Sequence, residues 1–261
     1  MTAIFRLDGT TAVTSPNAAG PWDPNMQHGG APTALIVKIA ETTPALVPMR
    51  IARITVDLMR PVPVAPLTVA TDIVRDGKKL QLLAIRLLAG GLEVVRASVL
   101  RLRREAVALP DAAAAPPIDL PPPDQGTAPG LPAGCPFNAG LESRFVKGNF
   151  RQPGPAAVWH KVNWDIIEGE PILPVMRAAI AGDYCNGTSA WLDFRLWTFI
   201  NADLQLSFAR DPVGEWILLD AETYPGPDGG GVAFARLGDS LGWFGRAAQS
   251  VIFEKRKTPL A

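Results

Sequence analysis

The order of this chain constrains it more than its composition does, because two stretches follow one plan on either side of a proline-rich spacer. Arg60-Pro61-Val62-Pro63-Val64 is followed 36 positions on by Arg96-Ala97-Ser98-Val99, and Arg210-Asp211-Pro212-Val213 is followed 36 positions on by Arg246-Ala247-Ala248-Gln249-Ser250-Val251. Equal intervals between similar tetrads are what a duplicated β-unit leaves behind when its strand lengths are kept. Residues 107–136 hold nine prolines and many alanines with almost no periodic pattern, so they read as an extended linker on the surface. The expected division is an N-terminal unit over 1–106, the linker over 107–136 and a C-terminal unit over 137–261, with any site carried by the second unit.

Each unit reads as one helix followed by an antiparallel meander. In the first, a short strand (Ala3 to Leu7) and loop lead to His28-Gly29-Gly30-Ala31-Pro32, which opens an amphipathic run from Thr33 to Glu41. Ile51 to Leu58 then alternates with period two, and Leu67–Val74, Leu80–Leu88 and Glu93–Leu102 follow. The turns between them carry Asp76-Gly77 and Gly90-Gly91, which are hairpin signals. In the second unit, Ala139–Phe150 and Ala156–Asp165 read as strands, Ile172–Ala181 as a short helix or loop, and Asp183–Phe194 as a longer helix. Thr198–Ala209, Glu215–Tyr224, Val232–Gly238 and Trp243–Lys255 complete the meander. This is an α+β layer, not a doubly wound sheet.

Composition removes several function classes. Lysine plus arginine equals aspartate plus glutamate at 25 each, so no basic field exists to hold a nucleic-acid backbone. Two cysteines, Cys135 and Cys185, and two isolated histidines, His28 and His160, lack metal-ligand spacing, so neither metal nor other cofactor is expected. No basic-then-apolar leader opens the chain and no run approaches a transmembrane span, so a soluble cytoplasmic protein is the expectation. Gly187-Thr188-Ser189-Ala190 lacks the glycine spacing of a serine-nucleophile elbow. Gly229-Gly230-Gly231 lies between strands without the Lys-Ser/Thr of a phosphate loop.

A central helix wrapped by antiparallel sheet, written twice, resembles the double hotdog fold: two antiparallel sheets, each around a central helix. Gly20-Pro21-Trp22, Gln27-His28-Gly29-Gly30-Ala31-Pro32 and Asp57-Leu58-Met59-Arg60-Pro61-Val62-Pro63 resemble the N-terminal half of the acyl-CoA thioesterase II family. Asn201-Ala202-Asp203-Leu204-Gln205-Leu206, Arg210, Gly214-Glu215-Trp216 and Gly245-Arg246-Ala247-Ala248-Gln249-Ser250 are similar to its second half. The resemblance implies hydrolysis of acyl-CoA to free acid and CoA, without a covalent nucleophile or metal. It implies a catalytic trio of Asp183, Asn201 and Gln249, with Asn201 standing where the family carries threonine or serine. Further assembly, to a homodimer or homotetramer through sheet edges or faces, is expected by analogy alone.

Thioester hydrolysis needs a water made nucleophilic and stabilisation of the charge developing on the carbonyl oxygen. Asp183 can accept the water's proton, and the amides of Asn201 and Gln249 can hold that water. Backbone N–H groups at a helix start are the expected oxyanion donors, with Cys185-Asn186-Gly187 nearest and His28-Gly29-Gly30 at the corresponding entry of the first unit. His28, Gly29, Gly30 and Gly187 are thus the expected substrate-binding residues. Each has a plainer reading: Asp183 as a helix cap, Gln249 as a solvent-facing strand residue, Asn201 as a turn residue, and His28 as a turn or packing residue. Two other functions remain: a non-catalytic acyl-CoA or lipid-binding module, and an enoyl-CoA hydratase or dehydratase. The last wants a histidine paired with a carboxylate, and His28 has none within a turn or two of sequence.

Overall fold

The computed structural model describes residues 3–110, 115–129, 134–150 and 152–257. Strands β1 (Phe5–Asp8) and β2 (Thr11–Thr14) form a hairpin, and α1 spans Gly30–Thr42. Strands β3 (Met49–Leu58), β4 (Leu67–Arg75), β5 (Leu80–Ala89) and β6 (Leu92–Arg103) make the first meander. The second unit runs β7 (Leu141–Lys147), β8 (Ala156–Val162), α2 (Pro174–Asp183), a single turn α3 (Cys185–Thr188), β9 (Trp197–Asn201), β10 (Asp203–Phe208), β11 (Trp216–Pro225), β12 (Gly230–Asp239) and β13 (Gly242–Lys255). None of the helices is long and apolar enough to cross a membrane among the described residues.

The strands form one continuous antiparallel sheet, where two separate sheets were expected. Its order is β1-β2-β4-β5-β6-β3-β10-β13-β12-β11-β8-β7, with β9 paired to β13. The seam between the units is β3 against β10, with Gln205 opposite Thr55 and Asp203 opposite Asp57. Each of these strands would otherwise be an edge with unpaired N–H and C=O groups, and pairing them removes two edges at once. Two aspartates face to face are unfavourable. Asp57 also has Arg96 across the neighbouring ladder, and Asp203 accepts the Ser250 N–H at 2.5 Å.

The two helices pack directly on each other on the inner side of this sheet. Small residues make that approach close, since a Cβ on Gly30 would lie 3.5 Å from the Ile180 Cα. Gly182 serves the contact of α2 with the sheet, where a Cβ would meet Leu206 of β10 at 2.6 Å. α1 is buried through Ala31, Ala34, Leu35, Ile36, Val37 and Ala40, on more than one face, as a helix enclosed by sheet must be. The units interlock elsewhere too. Phe5 donates to the Ile166 carbonyl and Phe137 to that of Ala19. The described linker residues cross the outer face of the second unit, where Ile118 and Leu120 cover Ala157, Trp159 and Leu218.

In the second unit the expected Ile172–Ala181 segment is the helix α2, whereas the longer helix expected over Asp183–Phe194 does not form. Asp183 ends a helix instead of starting one, and the run to Phe194 is helical only over Cys185–Thr188. The segment beyond is tied by its own contacts: the Trp191 indole donates to the Thr223 carbonyl at 2.7 Å and Ala190 accepts the Gly154 N–H. The expected strand Thr198–Ala209 is two strands broken at Ala202, whose N–H bonds Ser250 and whose carbonyl bonds Leu58.

Candidate active site

The break at Ala202, the end of α2 and the start of α1 converge on one carboxylate. Asp183 is buried, and its Oδ1 accepts from Asn201 Nδ2 at 3.1 Å and from Gln249 Nε2 at 3.4 Å. Its Oδ2 lies 2.9 Å from His28 Nδ1, a residue of the other unit. A buried carboxylate is costly unless hydrogen-bonded, and three donors meet that need. Asp183 caps no N–H at the helix start that follows, so the capping reading falls. It stands at the unfavourable end of the α2 dipole but against the favourable N-terminal end of α1, at Gly29.

Gln249 is buried and fully engaged. Its Nε2 also donates to the Asp183 carbonyl at 3.1 Å, and its Oε1 accepts the Asn186 N–H at 3.0 Å. The solvent-facing alternative therefore falls, and Asn186 is removed from the candidate oxyanion donors. Asn201 Nδ2 donates to the Asp203 carbonyl as well, at 3.2 Å, which holds it across the strand break.

His28 is the residue whose partner could not be read from the sequence, because that partner lies 155 positions away on the other unit's helix. Its ring is stacked between Phe137, at 4.9 Å, and Tyr184, at 4.5 Å. A hydrogen bond between the two requires the proton on Nδ1, since a carboxylate only accepts. That Nδ1 is also 3.1 Å from the Gly30 N–H, a bond it cannot accept while donating to Asp183. Nε2 has no protein partner among the described residues, and His28 lines the main cavity.

Gly29 must be glycine for a steric reason: a Cβ there would sit 2.8 Å from Asp183 Oδ1 and 2.9 Å from Oδ2. Its N–H has no partner among the described residues, and it lines the cavity. Gly187 also lines it, with open space where a Cβ would be. Gly30 does not line it; it serves the contact between the helices. The cavity has a volume of about 1040 Å³, and Asp183 and Asn201 share its wall with Trp22, Leu58, Phe194 and Phe199.

The remaining titratable groups nearby are inert. Burial, with Asp183 close by, holds the Cys185 thiol well above its usual range, and burial pushes Cys135 up to about 11. Neither is a ready thiolate. His160 accepts or donates at Ser143 Oγ, 2.9 Å away, while burial first and His28 second lower it from 6.5 to about 3. Between those values the unfolded chain binds a proton that the native state refuses, so stability is full above about pH 6.5 and falls as pH drops. The slope is about 1.4 kcal/mol per pH unit. Urea unfolding of His160→Gln should lose about 2 kcal/mol less than the wild type between pH 7 and pH 5.

Comparisons agree with this architecture. Residues 18–102 match the acyl-CoA thioesterase N-terminal domain and residues 110–253 the acyl-CoA thioesterase C-terminal domain. No curated protein matches the chain in sequence. Among solved structures, a protein of unknown function with a hot dog fold from Alicyclobacillus acidocaldarius is 17% identical with a TM-score of 0.78, over 96% of this chain and 95% of that one. The TesB protein of Mycobacterium avium subsp. paratuberculosis is 13% identical with a TM-score of 0.71, over 97% of each. An acyl-CoA thioesterase II from Mycobacterium marinum is 14% identical with a TM-score of 0.68, over 96% of this chain and 95% of that one. At such identities the likeness is one of fold, the hot dog fold, and activity must be argued from the site. The two domain matches, in order and over most of the length, place the chain in the acyl-CoA thioesterase family.

Proposed function

We propose that this protein hydrolyses an acyl-CoA thioester to free acid and CoA, at one site per chain built across two hotdog units. The observation that carries the reading is the convergence of His28, Asn201 and Gln249 on the Asp183 carboxylate in the wall of a large, mostly apolar cavity. Asp183 takes the proton of the attacking water. Gln249 spends its donors on Asp183 and its acceptor on Asn186, so it fixes the carboxylate and the α3 turn instead of the water. Asn201 donates to Asp183 and keeps Oδ1 for the water. The Gly29 N–H, at the positive end of α1, is the best-placed donor to the developing oxyanion. Release of free CoA thiol from acyl-CoAs of differing chain length tests the reading; tight binding without release at any length would leave an acyl-binding module.

Asn201 does through Nδ2 what a threonine hydroxyl could do through its one O–H. Losing a hydrogen bond to a charge costs roughly 1.5–3 kcal/mol, so Asn201→Ala should lower kcat/KM by roughly 10–100-fold. Asn201→Thr should keep most of the wild-type rate in the same thiol assay.

One observation favours a second reading. The carboxylate that His28 lacks in sequence is supplied in space by Asp183, 2.9 Å from Nδ1, and Nε2 has no protein partner among the described residues. Such a pair could add water across an enoyl thioester. Crotonyl-CoA hydration, followed as loss of the enoyl absorbance without thiol release, separates this reading from hydrolysis.

A further inference from the structure

Arg256 lies immediately beyond β13 and has no carboxylate partner among the described residues. Its guanidinium stands instead over two rings, 5.4 Å from the Trp22 centroid and 4.8 Å from that of Phe194. Nε donates to the Phe194 carbonyl at 2.9 Å, and the Arg256 backbone N–H donates to the Leu196 carbonyl at 2.8 Å. Nη2 is buried without a partner. A cation so placed draws its compensation from the ring faces, so its position and theirs are coupled.

Those rings are part of the cavity wall. Trp22 packs on Phe194 at 5.1 Å and edge-on against Phe199 at 5.3 Å, and all three line the cavity. Phe199 lies two residues before Asn201 on β9, so both side chains point to the same side of the strand. The aromatic wall therefore begins roughly 6–7 Å from Asn201. Trp22 comes from the first unit and Phe194 from the irregular loop after α3, two segments that no regular ladder joins. Arg256 touches both and does not itself line the cavity.

We infer that Arg256 is a specificity-determining residue: it clamps the Phe194 loop and Trp22 together, and this fixed aromatic wall limits which acyl groups the cavity accepts. The inference rests on the reading of the cavity as an acyl site. It acts through the rings, so Arg256 is a positioning residue and not a catalytic one. Without the clamp the loop carrying Leu192 to Arg195 is free to move outward, and longer or bulkier acyl groups gain room.

The test is the profile of kcat and KM over straight-chain acyl-CoAs from acetyl to palmitoyl, for the wild type, Arg256→Ala and Arg256→Lys. Arg256→Ala should raise the long-to-short ratio of kcat/KM by about tenfold, with the change lying in KM. Arg256→Lys, which keeps a cation over the rings but loses the planar fork, should fall between. An unchanged profile, or an equal loss at every chain length, would overturn the inference. If the wild type releases no CoA from any substrate, the hydrolase reading fails by itself. The inference is then judged by calorimetric affinity for non-hydrolysable S-alkyl-CoA thioethers of the same lengths. The same shift toward longer chains supports it there, and affinities that keep the wild-type order refute it.

Discussion

Asp183→Asn is expected to lower kcat for thioester hydrolysis by roughly 10³-fold, within the 10²–10⁴-fold range of general-base catalysis, while the protein remains folded. Asparagine keeps the size of the carboxylate and can still accept from Asn201 and Gln249, so the local packing survives. What disappears is the negative charge that takes a proton and holds the His28 Nδ1–H, 2.9 Å away. A single-turnover measurement of thiol release, beside a thermal melt, reads both sides of the claim. If the variant keeps a rate within tenfold of the wild type, Asp183 is not the base. His28 Nε2 would then be the next acceptor to test, and His28→Gln the decisive comparison.

Gly29→Ala should lower activity by about 10²-fold and, like Asp183→Asn, leave the protein folded. Gly29 has φ −57 and ψ −26, an ordinary right-handed conformation that alanine adopts without strain. The damage is instead local, since the new methyl would stand 2.8 Å from Asp183 Oδ1. The carboxylate must move by a fraction of an ångström to about 1 Å, and displacement on that scale can cost about 10²-fold in rate. Loss of kcat/KM with an unchanged melting temperature is the expected pair of results. A lowered melting temperature with retained activity would show that the close approach of Gly29 serves folding instead.

Much of this architecture was legible in the sequence because it is written in period and punctuation. The alternation of Ile51–Leu58 and the Gly90-Gly91 turn need only local geometry, and they became β3 and the β5–β6 hairpin. The helix over Asp183–Phe194 failed for a physical reason. Cys185–Thr188 does turn once, but Trp191 and Ala190 find their partners in Thr223 and Gly154, far away in sequence. The joining of two sheets into one was likewise hidden, since β3 and β10 advertise nothing about which edge they will meet. Within the site, Asp183, Asn201 and Gln249 were reached through likeness of motif, and all three lie within hydrogen-bonding distance of the same carboxyl group or belong to it. The pairing of His28 with Asp183 was missed because spacing within one helix was the only criterion available, and the contact runs between helices.

The seam at β3 and β10 has a consequence for how such a chain can change over generations. A freshly duplicated protein offers a spare copy, and a spare copy is free to drift. Here the copies have exchanged that freedom for shared ownership, because the imidazole and the glycine come from one and the carboxylate and both amides from the other. The first unit could lose an amide of its own, having Val99 where the count from Arg96 matches Gln249, yet it cannot lose Gly29 without harming its neighbour. Substitutions in either unit are thus judged together, and the two halves of the gene are bound to a common fate.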